Sequence, residues 1–516
     1  MKRPVVIAFT LLMVFGIVLA ACAPAAAPVA PQVVTKEVVV TKEVQTVVTK
    51  EVQTVVTKEV QVEVTAAPPT PVPSPTIQPE VKVGGEGCDP AATQVTWFVG
   101  LGAGTHPSDI DAEKAWVDKY NKSQKDVCVL LDVVYNTGSN SYDALRAMVA
   151  GGNAPCIVGP VGKAGRASFQ GGWADLAPLA KAAGFDLSQY DPKLLDFVKD
   201  EGVLVGLPYA LYPSFIYFNK KLFDEAKLPY PPQKVGDMYN GKPWDLAAFT
   251  ELAQKLTVDK NGNDATSPDF DPKSVTQFGF FQQWTDGRGI GAFFDGGLPY
   301  DPKTNTAVIP PAWVKAWKWF YDGVWNKHFM PNADYANSDQ FNKGNVFASG
   351  NLAMSWVHTW YFNSFDHAKM NWDIAVVPTI DGKITAKMHG DTFAIMKDCK
   401  TQDAAFKAMT AMVADPDLQV LYGGMPAKPE EQAAFFAALD KAAAPNKINW
   451  DVAKEMLKYP DLPNHESWLP NLAVANNLFG ALRTKFEQTP QLDIDAVIAQ
   501  LKSDLDAAYK AAPPAK

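Results

Sequence analysis

The chain has 516 residues and a formal net charge of −9, with 47% hydrophobic and 20% charged residues. This length is too great for one compact domain and predicts two or three folded units with sizeable cores. The acidic balance and the lack of any arginine-rich run exclude nucleic acid as a partner, because nucleic-acid binding depends on clustered Lys and Arg.

The first 21 residues have the pattern of a secretory signal. Lys2 and Arg3 precede an apolar run, residues 5–19, that is shorter than the about 20 residues of a membrane span. The run ends in Leu19-Ala20-Ala21-Cys22, which resembles the lipobox of bacterial lipoproteins. We therefore predict a signal peptide over 1–21 and a mature chain that is acylated at Cys22 and anchored to the outer face of the cell membrane. A plain signal peptide followed by a chance cysteine is the alternative.

Residues 22–87 have a composition unlike that of a folded core. Thr-Lys-Glu-Val recurs at 35–38, 41–44, 49–52 and 57–60, and six prolines lie between 68 and 79. Val and Thr favour an extended backbone, and closely spaced prolines make a stiff spacer. We interpret this segment as a stalk that holds the folded body away from the membrane. A self-associating β-stalk is the alternative interpretation.

The folded body is predicted to begin near Cys88 with alternating strands and helices. The predicted order is strand 95–99, helix 108–120, strand 127–135, helix 142–150 and strand 156–158. This order predicts a parallel sheet covered by helices on both sides, with ligands bound beyond the carboxyl ends of the strands. Two later amphipathic helices, 246–256 and 313–325, predict a second α/β unit, and Trp313 and Trp317 are expected on the core face of the latter.

Four further cysteines follow Cys22: Cys88, Cys128, Cys156 and Cys399. None has the spacing of a zinc site, and export to an oxidising compartment permits disulfides. Three full pairings are open. Cys88–Cys128 is the preferred bridge, because the two residues lie at the starts of strands predicted to be parallel neighbours. Free buried thiols are the alternative.

Several motifs, in their order and spacing, resemble those of the family 1 extracellular solute-binding proteins, the family that includes maltose-binding proteins. They are Trp173-Ala-Asp-Leu-Ala-Pro178, Gly202-Val-Leu-Val-Gly-Leu-Pro208, Ser214-Phe-Ile-Tyr-Phe-Asn219, Phe347-Ala-Ser-Gly-Asn-Leu-Ala-Met354 and Ile374-Ala-Val-Val-Pro378. The resemblance covers residues 95 to about 510. It implies an α/β, two-lobed type II periplasmic-binding fold with an interlobe cleft and a hinge, where the chain crosses between lobes near 208–217, 374–377 and 439–448.

The resemblance also implies a domain organisation and a function. The first lobe is expected to comprise 88–210 and 376–440, and the second lobe 211–375, with C-terminal helices over 441–516 mainly in the second lobe. The expected ligand is a carbohydrate or polyol, delivered to the transmembrane permease subunits of an ABC importer, and no cofactor is expected. A stalked surface glycan-binding protein or adhesin, not coupled to transport, is the alternative function.

A sugar site needs planar hydrogen-bonding groups for the hydroxyls and aromatic rings for the C–H faces. By analogy with the family, the expected ligand-binding residues are Trp360, Trp356, Tyr212, Trp284, Gln283, Lys163, Arg166 and Asp391. Trp360 is the main candidate, since it lies six residues after Met354, where relatives have a pocket tryptophan. Ordinary packing or a surface position is the alternative for each. The glycine-rich stretch 100–104 replaces Asp and Lys contacts of some relatives, so maltose specificity does not carry over.

Catalysis and metal binding are not expected from the sequence. Nucleophile-elbow and zinc-protease motifs are absent from it, and none of its six histidines shares a helical face with another. The segment from Asp259 to Asp264 partly resembles a calcium loop. However, Asp264 stands where that loop requires glycine and Phe270 where it requires glutamate, so a polar turn is the better interpretation.

Cys22→Ser is expected to release the chain from membranes or to stall its processing, because acylation requires the sulfur nucleophile. Membrane fractionation with an immunoblot of the processed length measures this. A mature-length Cys22→Ser chain that still sediments with membranes would contradict the lipoprotein prediction.

Overall fold

The computed structural model describes residues 81–105, 107–135 and 140–512. The predicted signal peptide, Cys22 and nearly all of the predicted stalk lie outside these residues. The strands are β1 Val81–Val83, β2 Thr93–Val99, β3 Val127–Val133, β4 Ile157–Val161, β5 Lys199–Asp200, β6 Val203–Leu204, β7 Leu207–Asn219, β8 Met238–Tyr239, β9 Lys242–Pro243, β10 Val258–Asp259, β11 Val275–Phe281, β12 Leu352–His358, β13 Trp372–Ala375, β14 Met388–Ile395 and β15 Met425–Pro426.

The helices account for most of the remaining regular structure. They are α1 Pro107–Ser123, α2 Asn140–Ala150, α3 Lys163–Ala167, α4 Leu176–Ala183, α5 Pro192–Phe197, α6 Lys220–Ala226, α7 Leu246–Lys255, α8 Gly287–Ala292, α9 Pro311–Trp325, α10 Ala333–Asn337, α11 Gln402–Val413, α12 Pro416–Leu421, α13 Pro429–Ala443, α14 Asp451–Met456, α15 Leu472–Gln488 and α16 Ile494–Lys510. No helix among the described residues is long and apolar enough to cross a membrane.

The first lobe is built on the β-α-β-α-β unit that the sequence predicts. β2 pairs in parallel with β3 on one side and with β4 on the other. β3 is apolar at every position except Asp132 and is buried on both faces, with six of its seven residues buried. The predicted parallel sheet and its two helices, α1 and α2, are therefore confirmed.

β7 is a 13-residue strand that belongs to both lobes. Its first half, Leu207–Pro213, pairs with β14 of the first lobe, and its second half, from Ser214, pairs with β12 and β13 of the second lobe. Every residue of β7 is buried. The strand thus joins the two lobes into one 11-stranded sheet, and its partners change at Pro213–Ser214.

The second lobe has an aromatic-rich core around β11, β12 and α9. Trp313 and Trp317 of α9 are fully buried, and each indole N–H donates to a backbone carbonyl, of Asp295 and Gly287 respectively. The predicted core role of these two tryptophans is confirmed.

The other lobe boundaries differ from those expected. Ile380 and Ala386 pack in the core of the second lobe, so the chain returns to the first lobe at 386–388 rather than near 374–377. Phe435 and Phe436 of α13 pack in the same core, so the last crossing precedes Pro429 and does not fall at 439–448. Both differences arise because apolar side chains in these connections face the second lobe.

Two disulfides lie in the first lobe. Cys88–Cys128 is confirmed, with a Cα–Cα distance of 5.5 Å. The parallel register that pairs Thr93 with Val127 brings the starts of β2 and β3 together. Cys156 pairs with Cys399, which ties the entry to β4 to the exit from β14. This second bridge joins the two separate chain segments from which the first lobe is built.

The Asp259 segment is a polar turn, as expected. The Asp259 carboxylate accepts hydrogen bonds from the backbone N–H groups of Asn261, Asn263 and Asp271. These hydrogen bonds occupy the carboxylate oxygens with which Asp259 would otherwise coordinate a calcium ion.

Removal of either disulfide is expected to destabilise the protein, and more so for the bridge with the larger loop. The two bridges span 40 and 243 residues, and loop-closure entropy gives losses of about 4 kcal/mol for the first and about 5 kcal/mol for the second. Guanidinium unfolding of the two Cys→Ala double variants measures both. A Cys156→Ala/Cys399→Ala chain as stable as the wild type would contradict the expectation.

Candidate ligand-binding site

A cavity of about 680 Å³ opens where β14 leaves the lobe boundary. The second lobe supplies most of its wall, the first lobe supplies Ala164 of α3, and β14 and the residue before it supply His389 and Lys387. The other side chains that the site uses are Gln283, Trp284, Asp286, Arg288, Asn345, His465, Glu466, Asn476, Arg483 and Glu487. Polar and charged groups dominate this set, which favours a polar ligand.

β14 places three polar side chains on one face by simple alternation. Lys387, His389 and Asp391 are two residues apart, so they point to the same side of the strand. Lys387 and His389 line the cavity, and Asp391 lies next to them, 3.4 Å from the hydroxyl of Tyr212. Burial raises the pKa of Asp391 to about 7. Near neutral pH this carboxyl can therefore both donate and accept a hydrogen bond.

Trp284 forms an exposed aromatic wall at the edge of the cavity. It follows β11, and 52% of its surface is accessible to solvent. Its backbone has φ +45°, a left-handed conformation that is strained for a bulky residue. One edge of its ring contacts the buried Tyr361, with centroids 5.5 Å apart, and the rest of the ring remains exposed at the cavity edge.

Trp360 supports this wall from behind. Its ring stacks on Trp284 with centroids 6.0 Å apart and planes inclined by 23°. It is part-buried and packs against the cores of both lobes. Its indole N–H donates to Nδ1 of His389 at 3.3 Å. Trp360 thus connects the wall to the polar face of β14 at the junction between the lobes.

Three histidine rings are stacked beside Trp360. The centroids of His358 and His389 are 3.8 Å apart, and those of His389 and His465 are 5.2 Å apart. His358 is buried at the end of β12, with Nδ1 2.7 Å from the Tyr212 carbonyl oxygen, and burial holds its pKa well below the ordinary value. His358 is therefore a neutral structural residue, whereas His389 and His465 face the cavity.

The rings of His389 and His465 contact each other, and neighbouring carboxylates lie close to both. Their Nε2 atoms are 3.2 Å apart, and Nε2 of His389 is 3.5 Å from Oε1 of Glu466. Nδ1 of His465 lies 2.7 Å from Oδ2 of Asp461. The fully buried Asp461 also accepts hydrogen bonds from the backbone N–H groups of Met388 and His465, which fixes the pair.

The cations of the cavity are held by hydrogen bonds. Arg288 donates to Asn476 and to the Ser467 carbonyl, and Arg483 pairs with Glu487 at 2.7 Å. Lys387 donates to Thr285 Oγ1, and burial lowers its pKa to about 8. Because these side chains are already held in place, they can present donors to ligand hydroxyls without a large entropic cost.

The structure does not bring four of the predicted residues to the cavity surface. Trp356 is 1% exposed and packs on Phe293 in the second-lobe core, which leaves no face for stacking on a sugar. Tyr212 is buried, although its hydroxyl reaches Asp391. Lys163 is held by Asp200 at 3.6 Å and by the Phe197 carbonyl, and burial lowers its pKa.

Arg166 is the most deeply buried of the four. Its guanidinium donates to Thr392 Oγ1 and to the Val161 carbonyl, so it supports the strand that carries Asp391 from behind. Of the predicted residues, Gln283 and Trp284 line the cavity, Trp360 stacks on Trp284, and Asp391 lies two residues after His389 on β14. Whether these residues bind a ligand stays a prediction.

Sequence reasoning missed His389, His465, Glu466, Lys387 and Arg288. For Lys387 and His389 a signal exists, since they share strand alternation with Asp391. For His465 and Glu466 it does not, because they lie 76 and 77 residues after His389 in a segment without a recognisable pattern.

The fold and the cavity define a two-lobed binding protein. Residues 115–455 match the family described as bacterial extracellular solute-binding protein. The chain belongs to this family of solute-binding proteins, and the family resemblance seen in the sequence is confirmed. No relative of curated function matches the chain by sequence alone.

Solved structures with the same fold are distant in sequence. The ABC substrate-binding protein Lmo0181 from Listeria monocytogenes, in complex with cycloalternan, is 20% identical, with a TM-score of 0.60 over 81% of this chain and 98% of that one. A solute-binding protein from Thermotoga lettingae bound with α-D-tagatose is 17% identical, with a TM-score of 0.57 over 81% and 100%. MalE from Bdellovibrio bacteriovorus bound to maltotriose is 15% identical, with a TM-score of 0.55 over 81% and 100%.

Trp356→Ala and Trp284→Gly are expected to differ greatly in their effect on stability. Trp356→Ala leaves a cavity in the core and should lower the free energy of unfolding by about 3–5 kcal/mol. Trp284→Gly removes an exposed ring and relieves a left-handed backbone, so the free energy of unfolding should change by no more than about 1 kcal/mol. Denaturant unfolding measures both, and equal losses would contradict the assignment of Trp284 to a surface wall.

Proposed function

We propose that this protein is the carbohydrate-binding component of an ABC importer. It is anchored through lipid on Cys22 to the outer face of the cell membrane, and its stalk holds the two lobes away from that surface. The lobes close on a sugar or polyol and deliver it to the transmembrane permease subunits.

The observation that carries the proposal is the exposed aromatic wall beside a polar cavity at the lobe junction. A sugar presents C–H faces to an aromatic ring and hydroxyls to the groups around its edge. Trp284, backed by Trp360, supplies the ring. Gln283, Asn476 and Glu466 supply planar polar groups on the same cavity.

The relatives give independent support for this ligand class. The three solved structures named above hold cycloalternan, α-D-tagatose and maltotriose. These are a cyclic oligosaccharide, a ketose and a linear oligosaccharide, so the shared chemistry is that of carbohydrate hydroxyls and C–H faces. We therefore choose all three as the first ligands to test.

Closure would bend the chain at the partner change in β7. Pro213 and Ser214 mark that point, and the return segment at Lys387 lies beside it, since the Ser214 N–H donates to the Lys387 carbonyl. A hinge motion of whole lobes can be absorbed by changes in a few backbone dihedral angles at such a crossing. A ligand that contacts both β14 and the Trp284 wall would favour the closed form.

Thermal unfolding in the presence of each sugar is the direct test. Binding at one hundred times the dissociation constant should add about 2.7 kcal/mol to the free energy of unfolding, which raises the melting temperature. We expect at least one of the three sugars to do so. Titration calorimetry then gives the dissociation constant, and small-angle scattering should show a smaller radius of gyration with ligand bound.

Trp284→Gly and Trp360→Ala are each expected to weaken binding of that sugar by about tenfold to a hundredfold, because each removes apolar contact area from the wall. Tyr230→Ala, which removes an exposed aromatic ring outside the cavity, is the matched control and should leave affinity unchanged. Unchanged affinity in both tryptophan variants would contradict the site. Sugar binding without any change in the radius of gyration would favour a static glycan-binding surface protein.

A further inference from the structure

His389, His465 and Glu466 bring three metal-ligating atoms together on the wall of the cavity. All three atoms lie within 4.8 Å of one another. We propose that these residues form a binding site for a divalent transition-metal ion such as Zn²⁺, with an open coordination position towards the cavity. This proposal stands on the three side chains themselves and does not require a carbohydrate ligand.

Two of the three ligand-atom distances are close to those of a tetrahedral site, and the third is no longer than 4.8 Å. Zinc lies about 2.0–2.2 Å from histidine nitrogens and carboxylate oxygens, which places neighbouring ligand atoms roughly 3.3 Å apart at tetrahedral angles. The Nε2 atoms of His389 and His465 are 3.2 Å apart, and Nε2 of His389 is 3.5 Å from Oε1 of Glu466. Small rotations of the side chains would therefore suffice to place all three around one ion.

The surroundings orient His465 as a metal ligand. Asp461 Oδ2 lies 2.7 Å from Nδ1 of His465, an arrangement that keeps the proton on Nδ1 and leaves the lone pair on Nε2. Asp461 in turn is fixed by the Met388 N–H and by Asn464. The carboxylate–histidine pairing is typical of the outer shell of zinc sites.

The donor set selects the class of metal. Two imidazole nitrogens and one carboxylate oxygen suit Zn²⁺, Co²⁺, Ni²⁺ and Cu²⁺, whereas Mg²⁺ and Ca²⁺ prefer oxygen ligands alone. Glu466 supplies negative charge at the site, and the opposing cation, Lys387, is held by Thr285 and by the face of the Phe293 ring. With three protein ligands, water or a ligand hydroxyl would complete the coordination from the cavity side.

Trp360 competes with the metal. An indole N–H can only donate, so its hydrogen bond to Nδ1 of His389 puts the His389 proton on Nε2, where it donates to His465. A metal ion on Nε2 of His389 instead requires the proton on Nδ1, which breaks the hydrogen bond to Trp360. Metal binding is therefore coupled to the position of the aromatic wall.

Calorimetric titration of the untagged full chain with ZnCl₂ tests the site. We expect one saturable binding step in the wild type that is lost in His389→Gln and in Glu466→Gln. In Asp461→Asn the amide oxygen can still accept the hydrogen bond from the Met388 N–H, but the amide NH₂ cannot accept one from Nδ1 of His465. This variant should weaken Zn²⁺ binding by about 10- to 100-fold. His328→Gln, at a histidine outside the cavity, is the matched control and should bind like the wild type.

Trp360→Phe distinguishes the loss of a hydrogen bond that competes with the metal from general damage to the cavity. It removes the competing N–H but keeps an aromatic ring, so Zn²⁺ binding should become about two- to tenfold tighter, the equivalent of one hydrogen bond. A disrupted cavity would bind Zn²⁺ more weakly. Circular dichroism confirms that each variant is folded.

Two outcomes would overturn the proposal. One is a wild-type chain that takes up no Zn²⁺ at millimolar concentration, in which case the histidines form only a hydrogen-bonded pair. The other is a binding step that persists unchanged in folded His389→Gln and Glu466→Gln chains. Neither outcome bears on carbohydrate binding, which the sugar titrations measure separately.

Discussion

The structure depends on β7, a single buried strand that pairs with both lobes. Its backbone hydrogen bonds are shared between β14 and β15 on one half and β12 and β13 on the other. The polar side chains of the second half are satisfied internally: the Ser214 hydroxyl accepts from Trp356, and Asn219 donates to the Gly350 carbonyl. Neither half can leave its sheet without losing these bonds, so the partner change at Pro213–Ser214 is the point at which β7 would have to bend if the lobes moved relative to one another.

This constraint also determines where the candidate site lies. β14 begins at that point, with Met388 paired to Pro213 and His389 to Tyr212. Strand alternation then places His389 and Asp391 on one side of the strand, with His389 on the cavity wall, while Met388 faces the core. The polar face of the cavity is consequently set by the same register that joins the lobes.

The fold was largely predictable where local pattern and burial agree. The strand over Val127–Val133 is apolar at every position except Asp132, and Cys88 and Cys128 could be paired because parallel neighbours start together. β12 shows the opposite case. Both of its faces are buried, so the sequence around Trp356 has no alternation to reveal that its ring enters the core, whereas Trp360, just beyond the strand, is only part-buried. The lobe crossings at 386–388 and before Pro429 depend on which core the connecting residues contact. Tertiary packing determines this, and the local sequence pattern does not show it.

The histidine pair depends on contacts that lie still further apart along the chain. The segment that carries His465 is tied to the start of β14 by a bridge between Ala386 and Pro460 and by the hydrogen bond from the Met388 N–H to Asp461. One buried carboxylate thus places the loop, orients His465 and contacts the backbone at the lobe boundary. Since burying a carboxylate is costly unless its oxygens are used, each of these contacts supports the others. An ion or ligand bound to His465 would therefore contact the loop that Asp461 holds against the start of β14.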